Sequence, residues 1–237
     1  MKTYIQIVLF TLFLSLVSQD SYSFEFRSSR FDIETEITLE SFSKVEVYGN
    51  VDVYISEASE QKVKVVGNEN IINELNFLTK NGVLYFSHGS SFDLKNRIVV
   101  YIQIPKIEGL KAGGSTDIIG EGLLSIKQGV FYVSGNSSIL VELDSDSIDA
   151  HALGKGKLGL AGKVNNMTLA VEESATADAV NLFAENVTIT TSSSEDIYID
   201  VTNKLEVQIA NNGNVVCKSM PTNKLLNRTG KGELLIN

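Results

Sequence analysis

The sequence predicts an all-β protein whose C-terminal two-thirds is a β-solenoid of about seven coils, each 18–21 residues long. Three observations carry this. Short segments following small, Gly- or Ser-rich turns fall on one register, at Ile118, Ile139, Leu158, Ala177, Ile197, Val215 and Leu234, with spacings of 21, 19, 19, 20, 18 and 19. The positions around each anchor alternate with period 2, the signature of a strand. Four positions before each anchor stands a turn column: Gly114, Gly135, Gly154, Glu173, Ser193, Asn211 and Gly230. Glycine and asparagine tolerate positive φ there, and serine bonds the local backbone.

Within each coil the pattern reads strand, tight turn, strand, return. Eight before each anchor come Leu110, Phe131, Ala150, Leu169, Ile189, Val207 and Leu226; six before, Ala112, Val133, Ala152, Val171, Thr191, Ile209 and Arg228. Two after come Gly120, Val141, Leu160, Ala179, Ile199, Cys217 and Ile236. These columns are apolar almost throughout and predict the inner walls. A single coil cannot bury its apolar face, but stacked coils share one core. Arg228, in an inner column, predicts fraying or capping at the C-terminal end.

The N-terminal part begins on the same template, with Val45, Val47, Gly49, Val53 and Ile55 in equivalent positions. The spacing then changes. Lys62 to Val66 predicts a strand, and Asn68 to Thr79 a short helix with Asn68 as N-cap. Val83 to Ser87 and Arg97 to Ile104 predict strands, the last ended by Pro105, with a polar loop from Ser87 to Asn96. Residues 24–106 are thus expected to form a β-rich cap, packed as one continuous unit with the coils of residues 107–237.

Residues 1–23 have the form of a signal peptide. Lys2 supplies the positive charge, Ile5 to Val17 the apolar stretch, and Ser21-Tyr22-Ser23 a small-residue cleavage site ahead of Phe24. That stretch falls short of the ~20 residues of a membrane span. The expectation is export, to the periplasm, the outer surface or the medium, with no transmembrane segment in the mature chain. A net charge of −9 excludes nucleic acid, whose recognition needs clustered Lys and Arg. It favours a neutral or cationic partner. Cys217 is the only cysteine, so no internal disulfide framework exists.

Three stretches carry a family resemblance: VEVYGNVDVYI at 45–55, VVGNENIINELNFLTKNGVLYFS at 65–87 and IQIPKIEGLKAGGSTDI at 102–118. With the turns GGS, SGN and GKG at 113–115, 134–136 and 154–156, their order resembles the bacterial putative autotransporter adhesin head GIN domains, over roughly residues 42–234. The later turns EES, SSS and NNG depart from the family's GSG type. The resemblance implies a right-handed, pectin-lyase-like β-helix and adhesion at the bacterial envelope, and it transfers no catalytic residue.

The residues themselves point the same way. Cys217 sits in an inner column as a small hydrophobe, and His88 and His151 give no zinc spacing with it. Asp144, Asp146 and Asp149 (LDSDSID) superficially suggest calcium, but no glycine or closing Glu follows in EF-hand positions; they read as solvated charge on the return loop. Asn136, Asn166, Asn186 and Asn227 head N-x-Ser/Thr sequons and read as incidental.

Two outward columns are candidates for binding. The column seven before the anchor holds Lys111, Tyr132 and His151 in successive coils, with Asp149 beside them; this set is the expected ligand face for a sugar or a peptide. The column one after the anchor is largely apolar although it should face outward. Ile119, Leu140, Tyr198, Val216 and Leu235 there are the expected interface, since exposed apolar patches mark contacts. The last coil is open, which admits end-to-end pairing into a homo-oligomer, and Lys224, Arg228, Lys231 and Glu233 are placed to blunt it. The expected function is an exported, adhesin-like module that binds a protein or a glycan at a cell surface, without catalysis, cofactor or metal. The alternatives are a polysaccharide lyase or hydrolase on the same scaffold, and a structural subunit of an envelope assembly.

Overall fold

The apolar columns of the sequence become the inner walls of a stack. In a computed structural model the described residues are 32–73, 75–88 and 98–237; the expected signal peptide and most of the polar loop at 87–96 lie outside them. Sixteen strands form one continuous sheet system. From β8 (Gly109–Gly114) onward the chain winds through five long strands, β9 (Asp117–Val133), β10 (Ser138–Ala152), β11 (Lys157–Glu173), β12 (Thr176–Ser193) and β13 (Ile197–Ile209), then β14 (Val215–Cys217), β15 (Asn223–Arg228) and β16 (Leu234–Ile236).

The anchor column pairs in parallel register as Ile118, Ile139, Leu158, Ala177, Ile197, Val215 and Leu234. The column eight earlier does the same from Leu110 to Leu226. The fold is the expected β-solenoid. Its side chains, such as Ile118, Phe131, Ile139 and Leu169, are fully or nearly fully buried, and each large one contributes about 1.5–3 kcal/mol of burial.

Turns stack as well. Gly114, Gly135, Gly154 and Glu173 all have positive φ, of 81°, 70°, 70° and 62°. The carbonyls of Gly114, Gly135, Gly154 and Glu173 accept the N–H of Asn136, Lys155, Ser174 and Ser194, one coil further on.

Two features differ from the expectation. The returns are not loops: Asp144 pairs with Ser125 on one side and Lys163 on the other, so the returns form a third sheet. Every backbone group of a return then finds a partner in the neighbouring coil, as a buried ladder requires. The helix expected at 68–79 is also shorter. Only Glu69–Ile72 is helical (α1), capped by Asn68, whose side chain accepts the Asn70 N–H at 3.0 Å. Asn76–Lys80 is instead a strand, β5, antiparallel to β6 (Val83–Ser87). The turn between them is Asn81-Gly82, with φ of 54° and 72°. That dipeptide favours a tight hairpin, and Phe77 stacks on Phe86 across it at 4.9 Å. Cross-strand pairing outweighs the local helical pattern.

Strands β2 (Lys44–Gly49) and β3 (Val51–Glu57) form a level of the stack. Val45 pairs with Leu110, and Val53 with Ile118. Outside them lies a further level, β6 with β7 (Ile98–Ile104): Leu84 pairs with Val45, and Val100 with Val53. The level earlier in sequence therefore sits between two later ones. Two antiparallel strands, β4 (Lys62–Asn68) and β1 (Asp32–Ile37), add to the edge of β7.

At the other end, β15 is exposed along its whole length. Its inner-column residues are Lys224, Leu226 and Arg228, opposite Leu205, Val207 and Ile209. Arg228 lies 3.4 Å from Glu233. Inward-pointing charge of this kind blunts a sheet edge, which accounts for the break in the apolar pattern. Among the described residues no helix is long and apolar enough to cross a membrane.

Candidate functional site

The four residues expected as a ligand face lie together on the outer surface of the first sheet. Lys111, Tyr132 and His151 are register neighbours in three consecutive coils. The Lys111 ammonium lies 5.3 Å from the centre of the Tyr132 ring. On its other side Tyr132 stacks with His151, with centroids 6.3 Å apart and planes inclined by 29°. His151 Nε2 lies 3.1 Å from Asp149 Oδ1.

Two further residues complete the row. Glu46 pairs with Lys111 in register, its carboxylate 3.4 Å from the ammonium. Tyr48 presents its ring to the same ammonium at 5.6 Å. Hydrogen bonding to Tyr48 first, and the charge of Glu46 after it, hold Lys111 above the ordinary lysine range, against the opposing effect of partial burial. Both residues were legible: they occupy the positions seven and five before Val53 in the β2–β3 template.

The row is asymmetric. Tyr132 has a neighbour against each side of its ring and offers its edge and hydroxyl to solvent. Tyr48 lies across the next coil against Gly113, and 41% of it is exposed. Of the aromatic rings here, Tyr48 is the one that lies across the sheet.

The second expected surface is also outward. Tyr54, Ile119, Leu140, Gly159, Asp178, Tyr198, Val216 and Leu235 form one register column. Leu140, Tyr198 and Leu235 are 45%, 43% and 40% exposed. Towards the N-terminal end the column continues as an aromatic stack, Tyr54 on Tyr101 at 5.3 Å, with Lys64 5.0 Å from the Tyr101 centroid.

The remaining candidates take structural places. Cys217 is fully buried, and burial raises its thiol pKa. Asp146 accepts from Asn165 Nδ2 at 3.5 Å, beside an asparagine ladder at the corner of the stack. There Asn186 donates to Asn166 Oδ1 at 3.1 Å, and Asn203 to Asn186 Oδ1 at 2.8 Å. Two of the sequon asparagines are thus rungs of a side-chain ladder. Asp200, which the periodicity did not single out, is 3% exposed, with Lys218 Nζ 3.6 Å from Oδ2 and no partner at Oδ1. Among the described residues no cluster of three or more His, Cys, Asp or Glu is placed to hold a metal ion.

Comparisons with known proteins bear on the whole of this architecture. A putative adhesin from Bacteroides fragilis superposes with a TM-score of 0.82 at 19% identity, covering 89% of this chain and 99% of its own. A putative adhesin from Parabacteroides distasonis gives 0.69 at 16%, covering 87% and 97%. A putative lipid binding protein from the same organism gives 0.68 at 15%, covering 89% and 98%. At these identities the likeness concerns the fold. No curated protein matches the sequence. The family model for the putative auto-transporter adhesin, head GIN domain, matches residues 41–221. The chain therefore belongs to the head GIN domain family of putative autotransporter adhesins.

Proposed function

We propose that this chain is an exported, adhesin-like binding module of the cell envelope that acts by surface contact, without covalent chemistry. The observation that carries this reading is the unbroken row Glu46–Lys111–Tyr132–His151–Asp149 with Tyr48 alongside, held on a rigid parallel sheet. Binding sites are most precise when rigid elements carry them. The family description and the neighbours named as adhesins support a partner at a surface. The reading includes cleavage after residue 23, with residues 24–106 capping the repeats of 107–237. It also includes a protein or glycan as partner.

The ligand face comprises Lys111, Tyr132, His151 and Asp149, extended by Tyr48 and Glu46. Its charges are internally paired, which suits a neutral ligand held by hydrogen bonds and by the ring of Tyr48. A glycan and extracellular-matrix array on residues 24–237, with products assayed on any hit, tests the reading. The expected result is saturable binding without turnover, abolished in a Tyr48→Ala/Tyr132→Ala/His151→Ala variant. Turnover of a bound polysaccharide, or binding indifferent to that variant, overturns it.

A further inference from the structure

The second face carries a notch that originates in the unequal coil lengths. The anchor spacings around it are 21, 19, 19 and 20, so two short coils lie between longer ones. Where β9 meets β10, Gly120–Gly122 stand opposite Val141 alone, between the pairs Ile119–Leu140 and Leu123–Glu142. Where β11 meets β12, Ala179 and Val180 stand opposite Leu160 alone. Each surplus becomes a bulge. Gly122 has φ 82°, and a β-carbon there would meet nothing within 4 Å, so the first bulge projects into solvent. The second is turned by Asp178, whose Oδ1 accepts the Val180 N–H at 3.2 Å.

Between these walls lies an open groove of about 550 Å³, two coils or roughly 10 Å wide at about 4.8 Å per coil. Its floor is aliphatic. Leu140 lies over Gly159, where a β-carbon would come within 2.6 Å of Leu140 Cδ2, and Leu158, Leu160 and Val141 complete the base. No aromatic residue lines it, while Glu142 and Asp178 stand at its side against the one cation, Lys157.

From this geometry we infer that the notch is a second binding site, for an extended peptide segment of a partner protein that alternates aliphatic and cationic side chains. The aliphatic floor takes the apolar side chains, and the carboxylates take the ammonium or guanidinium groups. The absence of a lining ring disfavours a sugar, and the carboxylates disfavour a fatty-acid headgroup. A second copy of this chain, with a net charge of −9, is a poor match to an acidic rim. The site lies on a different sheet from the Tyr48–Asp149 row and stands or falls independently of it.

Fluorescence anisotropy on residues 24–237 with three labelled hexapeptides tests this: alternating Lys-Leu, Glu-Leu and Lys-Ser. The expected result is saturable binding of the Lys-Leu peptide at least tenfold tighter than of the other two. Glu142→Gln with Asp178→Asn, which keeps the acceptor for Val180, is expected to weaken it about tenfold, and Ala161→Phe, which fills the groove, at least as much. Tyr132→Ala leaves it unchanged. Equal binding of Lys-Ser, insensitivity to Ala161→Phe, or no binding at millimolar peptide overturns the inference. So does preferential binding of laurate or of a neutral oligosaccharide that Ala161→Phe abolishes.

Discussion

The ring of Tyr48 rests against Gly113 of the neighbouring coil, so closely that a β-carbon at 113 would come within 2.5 Å of Cδ1 and Cε1. Gly113→Ala must therefore swing the ring away and strip Lys111 of its hydrogen-bonding neighbour. Overpacking costs about 1–3 kcal/mol, and a partly exposed ring that can move places this case near the lower end. Urea denaturation should show that loss, and Lys111 should titrate closer to the ordinary lysine range when followed by NMR.

Glu173 occupies the turn column with φ 62°, where the three preceding coils have glycine. A non-glycine residue in the left-handed region carries a cost of about 1–2 kcal/mol, part of which glycine returns through the flexibility of its unfolded chain. Glu173→Gly should therefore stabilise the protein by roughly 0.5–1 kcal/mol, and Gly154→Ala should destabilise it. Thermal melts of the two variants measure both signs.

The Cys217 thiol is raised above its ordinary range chiefly by burial, with the charge of Asp200 adding to the effect. The folded state thus holds its proton more tightly than the unfolded chain does. The stabilising contribution is fully present below the unfolded thiol pKa of about 8.5. It is lost as pH rises from there through the higher folded value. Stability measured from pH 7 to 10 should fall more steeply in the native sequence than in Cys217→Ala. A thiol reagent at pH 8 should label the native protein only as fast as it opens.

Lys224 and Arg228 stand where the preceding coil has Leu205 and Ile209. Lys224→Leu with Arg228→Ile restores the apolar inner column and removes the Arg228–Glu233 contact. Sedimentation velocity should then show concentration-dependent end-to-end association absent from the native chain. A variant that stays monomeric at all concentrations would show that these charges do not guard the edge.

Much of this architecture is legible in the sequence because a parallel stack converts spacing into contact. The anchors at Ile118, Ile139 and Leu158 pair residue for residue, and Lys111, Tyr132, His151 and Asp149 meet because three of them share a column. What escaped has local causes. The stretch 68–79 carries helix-like spacing, but the Asn81-Gly82 turn folds its second half into a hairpin. The third sheet was hidden because its strands bend at corners, so no single period runs through LDSDSID. The notch was present in the coil spacings, as numbers, but it takes the register shifts at Leu140 and Gly159 to place each surplus residue in a wall.

The interleaving of β2 and β3 governs how the molecule meets a pulling force. From the C-terminal end each coil holds only its predecessor, so tension peels levels away one at a time and the resistance is that of a single rung. At the opposite end β2 is gripped on one edge by β6 and on the other by β8, and β3 likewise by β7 and β9. Load entering there must shear two ladders together. The rod is mechanically polar, yielding at one tip and clamped at the other, which suits a tether that must hold at its root while its far end gives.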